Sequence, residues 1–198
     1  MKKNNILILV LLLFANTCIA QKQEKLHFFG VPQVQLLNGT GKVSGAVNIS
    51  FGLQKANNAY SINTGIDYYR YRTIPIIAEY KRYFGNKNQK PFVYAGLGYS
   101  ANWLLDNQKR QIYNWWSSFW PTTANDATYK NGITYQLGVG YAIHNKQQKG
   151  LQLSIGLQAK TLQERFEEMV FNGTTSVPMQ RVYNYQLNRL QLTLGYKL

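Results

Sequence analysis

Cysteine is almost absent from this sequence: Cys18 is the only one among 198 residues. If the leader read below is removed, no disulfide framework and no cysteine-based metal site can form. Acidic residues are also scarce, eight against 22 lysines and arginines. There are two histidines, His27 and His144. No G-x-S-x-G elbow, P-loop, His-x-x-Glu-His metal motif or EF-hand loop is present, which removes the commonest signatures of hydrolases, nucleotide-binding enzymes and metalloproteins. No apolar run is long enough for a membrane-spanning helix, the longest being the nine residues Ile6 to Phe14.

That short run has a different meaning. Lys2 and Lys3 precede it, and Cys18-Ile19-Ala20 follows it with small residues at −3 and −1 of a cut before Gln21. The order is that of a secretory signal peptide, so residues 1–20 are read as a leader and 21–198 as one domain. The alternative is a lipoprotein acylated at Cys18, but Ala15 and Thr17 stand where Leu and a smaller residue are normally required. Removing Lys2 and Lys3 leaves 20 basic residues against 8 acidic, a net charge of +12. Export argues against a nucleic-acid partner. The excess charge then suits phosphate-bearing lipid surfaces, or simply solvates turns and loops.

The rest of the chain alternates with a period of two rather than 3.6. Ile133, Tyr135, Leu137, Val139, Tyr141 and Ile143 interleave with Thr134, Gln136, Gly138, Gly140 and Ala142. Leu151, Leu153, Ile155 and Leu157 interleave with Gln152, Ser154, Gly156 and Gln158. Similar two-faced stretches run from Val43 to Leu53, from Val93 to Trp103 and from Leu190 to Leu198, with weaker ones near 27–37, 59–71 and 74–84. Together they predict eight strands, long for a soluble domain and suited to a tilted bilayer crossing. Pro32 and Pro75 each remove a ladder donor and predict strand ends or bulges. The apolar set changes parity between Tyr183–Leu187 and Leu190–Leu198, which predicts a bulge or a strand extending beyond the membrane.

Alternation alone does not say which face points outward. A soluble lipocalin-like binder turns the apolar face in, and a membrane barrel turns it out. The second reading is favoured by a Gly-, Ser- and Gln-rich opposite face, and by the absence of charge from Pro91 to Leu105 and from Asn131 to Ile143. Tyr68, Tyr69, Tyr71, Tyr80, Tyr83, Trp103, Tyr129 and Tyr196 fall near strand ends, as an interfacial girdle requires, although strand propensity also enriches aromatics. The fold class is therefore read as all-β, an eight-stranded antiparallel transmembrane up-and-down β-barrel. Turns at 55–58, 85–90 and 144–149 are expected in the periplasm, with long external loops at 106–128 and 164–182.

The stretches Pro91-Phe-Val-Tyr-Ala-Gly-Leu-Gly-Tyr99, Gly138-Val-Gly-Tyr141 and Leu192-Thr-Leu-Gly-Tyr-Lys-Leu198 resemble small outer-membrane β-barrels of Bacteroidetes, similar in architecture to the OmpA, OmpX and OmpW type. The resemblance covers most of 26–198 and implies outer-membrane lipids, lipopolysaccharide and the outer-membrane assembly machinery as partners. The chain departs from the usual terminal aromatic, ending in Leu198 with Tyr196 two residues before it.

Barrel enzymes acting on lipopolysaccharide need an imidazole and a nucleophile near the outer rim. With His27 near the mature N-terminus and His144 in a periplasmic turn, no catalytic site and no cofactor are expected. Asp67, Glu79, Lys81 and Lys160 fall on the inward face, where buried charges must pair. They are read as a luminal charge network, either a salt-bridge plug or a gated polar path. In the segment Tyr113–Trp120, Trp115, Trp116, Phe119 and Trp120 can bind a surface glycan or protein, or rest on the lipid interface. The functional expectation is a non-enzymatic outer-membrane barrel with a filled lumen, serving envelope structure or surface interaction through loops 106–128 and 164–182. The alternatives are an OmpW-like conduit for small hydrophobic molecules, with a lateral opening and an apolar upper lumen, and the soluble periplasmic binder.

Overall fold

The structure is a computed structural model, and it describes residues 25–39, 42–69, 71–85, 88–104, 127–145, 147–171 and 175–198. The expected leader therefore lies outside the described residues. So do Trp115, Trp116, Phe119 and Trp120, with nearly all of the first long loop.

The described chain is strand throughout: β1 (His27–Gly39), β2 (Lys42–Lys55), β3 (Asn58–Asp67), β4 (Thr73–Tyr83), β5 (Gln89–Asn102), β6 (Thr128–Lys130), β7 (Gly132–His144), β8 (Gly150–Phe171) and β9 (Ser176–Lys197). Every neighbouring pair is antiparallel, and β9 pairs with both β8 and β1, so the sheet closes on itself. Short β6 and β7 lie on the same partner, β8, and form one wall strand. Between Lys130↔Gln163 and Thr134↔Lys160 the β6–β7 side advances four residues while β8 advances three. That is a bulge. It is held by Asn131 Oδ1, which accepts the Asn102 N–H at 2.8 Å, and by Thr161 Oγ1, which accepts the Ile133 N–H at 2.9 Å. Counted this way the barrel has eight walls, as the alternation predicts.

The period-two pattern becomes the two surfaces of that wall. Val34, Leu36, Val47, Phe51, Ile62, Ile76, Leu97, Leu137, Val139, Leu153, Ile155, Leu192 and Leu194 all point outward and are exposed. Their neighbours Gln33, Gln35, Asn48, Ser50, Asn63, Gln136, Gln152, Gln158, Gln191 and Thr193 are buried in the lumen. This arrangement overturns the lipocalin-like alternative, which requires the apolar face inside.

Both prolines sit where a missing donor does least harm. Pro32 is in the middle of β1, but its pairing with β9 stops one residue later, at Gln33↔Gly195. Pro75 pairs with Ser100 on one side, while on the other the β3–β4 ladder skips from Thr64↔Ile76 to Asp67↔Thr73.

One expectation is corrected and two are narrowed. The segment 164–182 is not a loop, because β8 and β9 continue through it as one uninterrupted hairpin register from Gly150↔Lys197 to Phe171↔Ser176. Of the two explanations offered for the parity change in β9, the structure shows the extended strand and not the bulge. Leu187 is buried on the luminal side with Arg189 and Gln191, while Leu190, Leu192 and Leu194 face outward; the strand simply outruns the apolar belt. The aromatic girdle is drawn only in part from the expected residues: Tyr68, Trp103 and Tyr196 do face outward. Tyr69 and Tyr83 are buried in the lumen, while outward aromatics are Phe28, Tyr60, Tyr141 and Tyr196 toward the end carrying the termini, and Tyr68, Tyr99, Trp103 and Tyr135 toward the other.

Candidate functional site: the packed lumen

Inward positions of an eight-stranded barrel converge on a narrow axis, so their side chains meet across it. Asp67 ends β3 and Thr73 begins β4, and the connection between them bends over the lumen at the end opposite the termini. The Asp67 carboxylate accepts the Tyr69 N–H at 2.8 Å, which fixes this turn. Its other oxygen takes the Lys160 ammonium at 3.1 Å and is also within ion-pair distance of the Arg189 guanidinium. Lys160 completes its donors with Tyr71 O and Thr73 Oγ1, both at 3.1 Å. All three charged groups are enclosed, with side-chain exposures of 0% for Lys160 and Arg189 and 3% for Asp67. Leu37, Ala46, Tyr69 and Leu187 pack beside them, with Tyr71 and Tyr185 at the margin. Above this layer the buried carboxylate of Glu164 accepts the hydroxyls of Tyr129 (3.1 Å) and Tyr185 (2.7 Å).

A second network fills the other half. Glu79 accepts Gln136 Nε2 at 2.7 Å and faces the Lys81 ammonium at 3.6 Å. Lys81 donates to Gln152 Oε1 at 3.1 Å and lies 4.8 Å from the centre of the Phe92 ring. Gln152 in turn donates to the Tyr83 hydroxyl at 3.0 Å and stands 3.3 Å from His144 Nε2. Phe29, Val31, Tyr83, Phe92, Tyr94 and Ala142 pack around these groups as an apolar cluster.

Room for these rings comes from glycine. The space that a Cβ would need at Gly138 or Gly156 is taken by Tyr94, and at Gly140 by Phe92. Beside this second network the void lined by Gln33, Glu79, Lys81, Tyr94, Gln191 and Thr193 measures about 10 Å³. That is roughly one water molecule, so the barrel is packed rather than open.

Asp67, Glu79, Lys81 and Lys160 thus lie inside the barrel, but in two separate groups: Asp67 with Lys160, and Glu79 with Lys81. Arg189, Lys90 and His144 are luminal and buried as well, and sequence reasoning did not assign them there; Lys197, which the alternation sets opposite the apolar residues, is also buried in the lumen. For Arg189 and Lys197 the signal was parity with Gln191, Thr193 and Gly195. For Lys90 it was parity with Phe92 and Tyr94. His144 belongs to β7 rather than to the following turn. Among the described residues no three His, Cys, Asp or Glu side chains come together as a metal site.

No family model matches the chain, and no curated protein matches it. Solved structures with similar shape include the N-terminal β-barrel domain of Pseudomonas aeruginosa OprF, at 9% identity and a TM-score of 0.47, covering 86% of this chain and 97% of that one. Neisserial surface protein A is similar at 12% identity and a TM-score of 0.44, covering 88% and 99%. Outer membrane protein OprG of Pseudomonas aeruginosa matches at 9% and 0.43, covering 86% and 95%. Likeness of this depth assigns neither activity nor location.

Proposed function

We propose that the chain is an integral outer-membrane β-barrel with a filled lumen, non-enzymatic, acting in envelope structure or surface interaction at the end opposite its termini. The observation carrying this reading is the outward face. From Ile133 to Ile143 every outward side chain of β7 is apolar or tyrosine and exposed. Those ten steps rise about 33 Å along a strand, or about 25 Å across a wall tilted by about 40°. That height fits the hydrocarbon band of an outer membrane, and such a surface left in water would drive aggregation. The packed polar lumen supports a structural rather than a conducting role. Lipopolysaccharide and outer-membrane lipids are the expected surroundings, reached through the assembly machinery. Trp115, Trp116, Phe119 and Trp120, together with the β8–β9 hairpin, are offered to a surface glycan or protein.

Orientation is testable because Cys18 is the only cysteine. Thr175→Cys, in the β8–β9 turn, is expected to react with an impermeant maleimide on intact cells. Asn57→Cys, in the β2–β3 turn, is expected to react only after the outer membrane is permeabilised. Labelling of Asn57→Cys on intact cells would reverse the orientation, and labelling of neither after permeabilisation would remove the surface reading.

One observation favours a second reading, a conduit for small hydrophobic molecules. The β3–β4 ladder is interrupted opposite Pro75, at the same end as the apolar cluster of Leu37, Ala46, Tyr69 and Leu187. Uptake of a hydrophobic solute into cells with and without the protein distinguishes the two: only the conduit predicts a difference.

A further inference from the structure

We propose that the mouth of the barrel carrying the chain termini is a binding basin for an oxyanion of the phosphate class. The mouth is a cavity of about 430 Å³, lined by Lys25 and His27 before and at the start of β1, Gln54, Ala56 and Asn57 at the β2–β3 turn, Lys90 on β5 and Gln148 on the β7–β8 turn. The start of β1, the β2–β3 turn, β5 and the β7–β8 turn therefore contribute, and every polar side chain among them can donate a hydrogen bond.

Among the described residues the charge inside this mouth does not balance. Lys81, Lys90 and Lys197 are all buried, and each acts electrostatically on the His144 ring. Lys197 is committed to Gln54 Oε1 on the cavity wall, and its ammonium lies 5.2 Å from the Phe29 ring. Lys90 is more than nine-tenths buried and has no hydrogen-bond or ion-pair partner among the described residues. Glu79 already faces Lys81. Among the described residues no carboxylate, the chain's terminal one included, stands within ion-pair distance of Lys90 or Lys197. Like charges crowded at one mouth without a counter-ion repel one another, and an anion seated among them relieves that repulsion. Two or more ammonium groups converging with amide donors suit a compact, multiply charged oxyanion better than a halide. A lipid phosphate monoester and free phosphate share this chemistry.

The test uses the leader-free chain, 21–198, folded in a maltoside detergent and titrated with inorganic phosphate by calorimetry, at fixed ionic strength and against chloride. Saturable phosphate binding that chloride does not reproduce is expected. Lys90→Gln is expected to weaken it by about tenfold, the usual loss of a charged hydrogen bond. Lys197→Gln should act in the same direction, and Lys130→Gln, at the far end, should change nothing. Heat-dependent gel migration of each variant shows whether its barrel is intact. Absence of saturable binding, or equal affinity in folded Lys90→Gln and Lys197→Gln, overturns the proposal. A repeat in nanodiscs with and without phosphatidic acid identifies the source. Weaker phosphate binding beside phosphatidic acid means that the lipid headgroup occupies the basin, and unchanged binding means a soluble oxyanion; either result upholds the site.

Discussion

Asp67 is the residue whose loss should be felt most. It is the one described carboxylate in contact with both Lys160 and Arg189, and all three groups are shut away from solvent. Asp67→Asn keeps the shape but leaves two cations buried and facing each other. At an effective dielectric constant of about 20, a pair 3.1 Å apart attracts by about 5 kcal/mol. Removing one partner of a buried pair typically costs about 3–5 kcal/mol, and no discount for solvent screening applies here. Asp67→Asn is therefore expected to lose about 3–5 kcal/mol, even though its amide oxygen can still accept the Tyr69 N–H. Lys160→Met should lose less, because Asp67 retains Arg189. The double variant should be more stable than the sum of the two losses predicts, since removing Lys160 relieves the repulsion that Asp67→Asn creates. The assay is reversible urea unfolding in lipid vesicles, followed by tryptophan fluorescence and by the heat-sensitive gel band. A loss below about 1 kcal/mol for Asp67→Asn, or strict additivity of the pair, would refute the claim that this network is dry and coupled.

Three other outcomes follow from the same geometry. Leu137→Arg, at the centre of the outward face of β7, should cost about 2–4 kcal/mol in lipid, whereas Ile143→Arg near the strand end should cost about 0–1 kcal/mol; comparing the two by urea unfolding in vesicles checks the depth of the belt. Gly140→Val pushes side-chain atoms into space held by the Phe92 ring and should destabilise by about 1–3 kcal/mol, again read by unfolding. In planar bilayers the unaltered barrel should show no ohmic steps, while Phe92→Ala with Tyr94→Ala, which strips two rings from beside the central void, should open measurable conductance.

Strand number, closure and facing were legible in the sequence because the belt imposes alternation wherever one side meets lipid and the other meets packed amides. The β8–β9 extension was legible only in part: the parity change before Leu190 left a strand running beyond the membrane open, but Glu164, Arg165 and Glu167 sit in a stretch where neither face is required to be apolar. A strand lying beyond a bilayer loses its period-two signature and reads like a loop. The inward positions of Asp67, Glu79, Lys81 and Lys160 follow from parity, but their division into two networks depends on how strands far apart in sequence meet across the lumen. The Lys160–Asp67 contact spans 93 residues, and no local pattern encodes it. Lys197 follows from the same parity, whereas Arg189 lies where the apolar set changes parity and reads as an interruption of it. The missing β3–β4 pairs opposite Pro75 follow directly from proline's lack of a donor.

The measurement that tests the central claim most directly is membrane fractionation of the expressed protein, with the same sample run heated and unheated on a gel. Recovery in the outer membrane, with the unheated form migrating faster, is the predicted result for a lipid-embedded closed barrel. A soluble periplasmic product with no heat-dependent shift would contradict it, because the exposed leucine, isoleucine and valine face would then have no solvent that tolerates it.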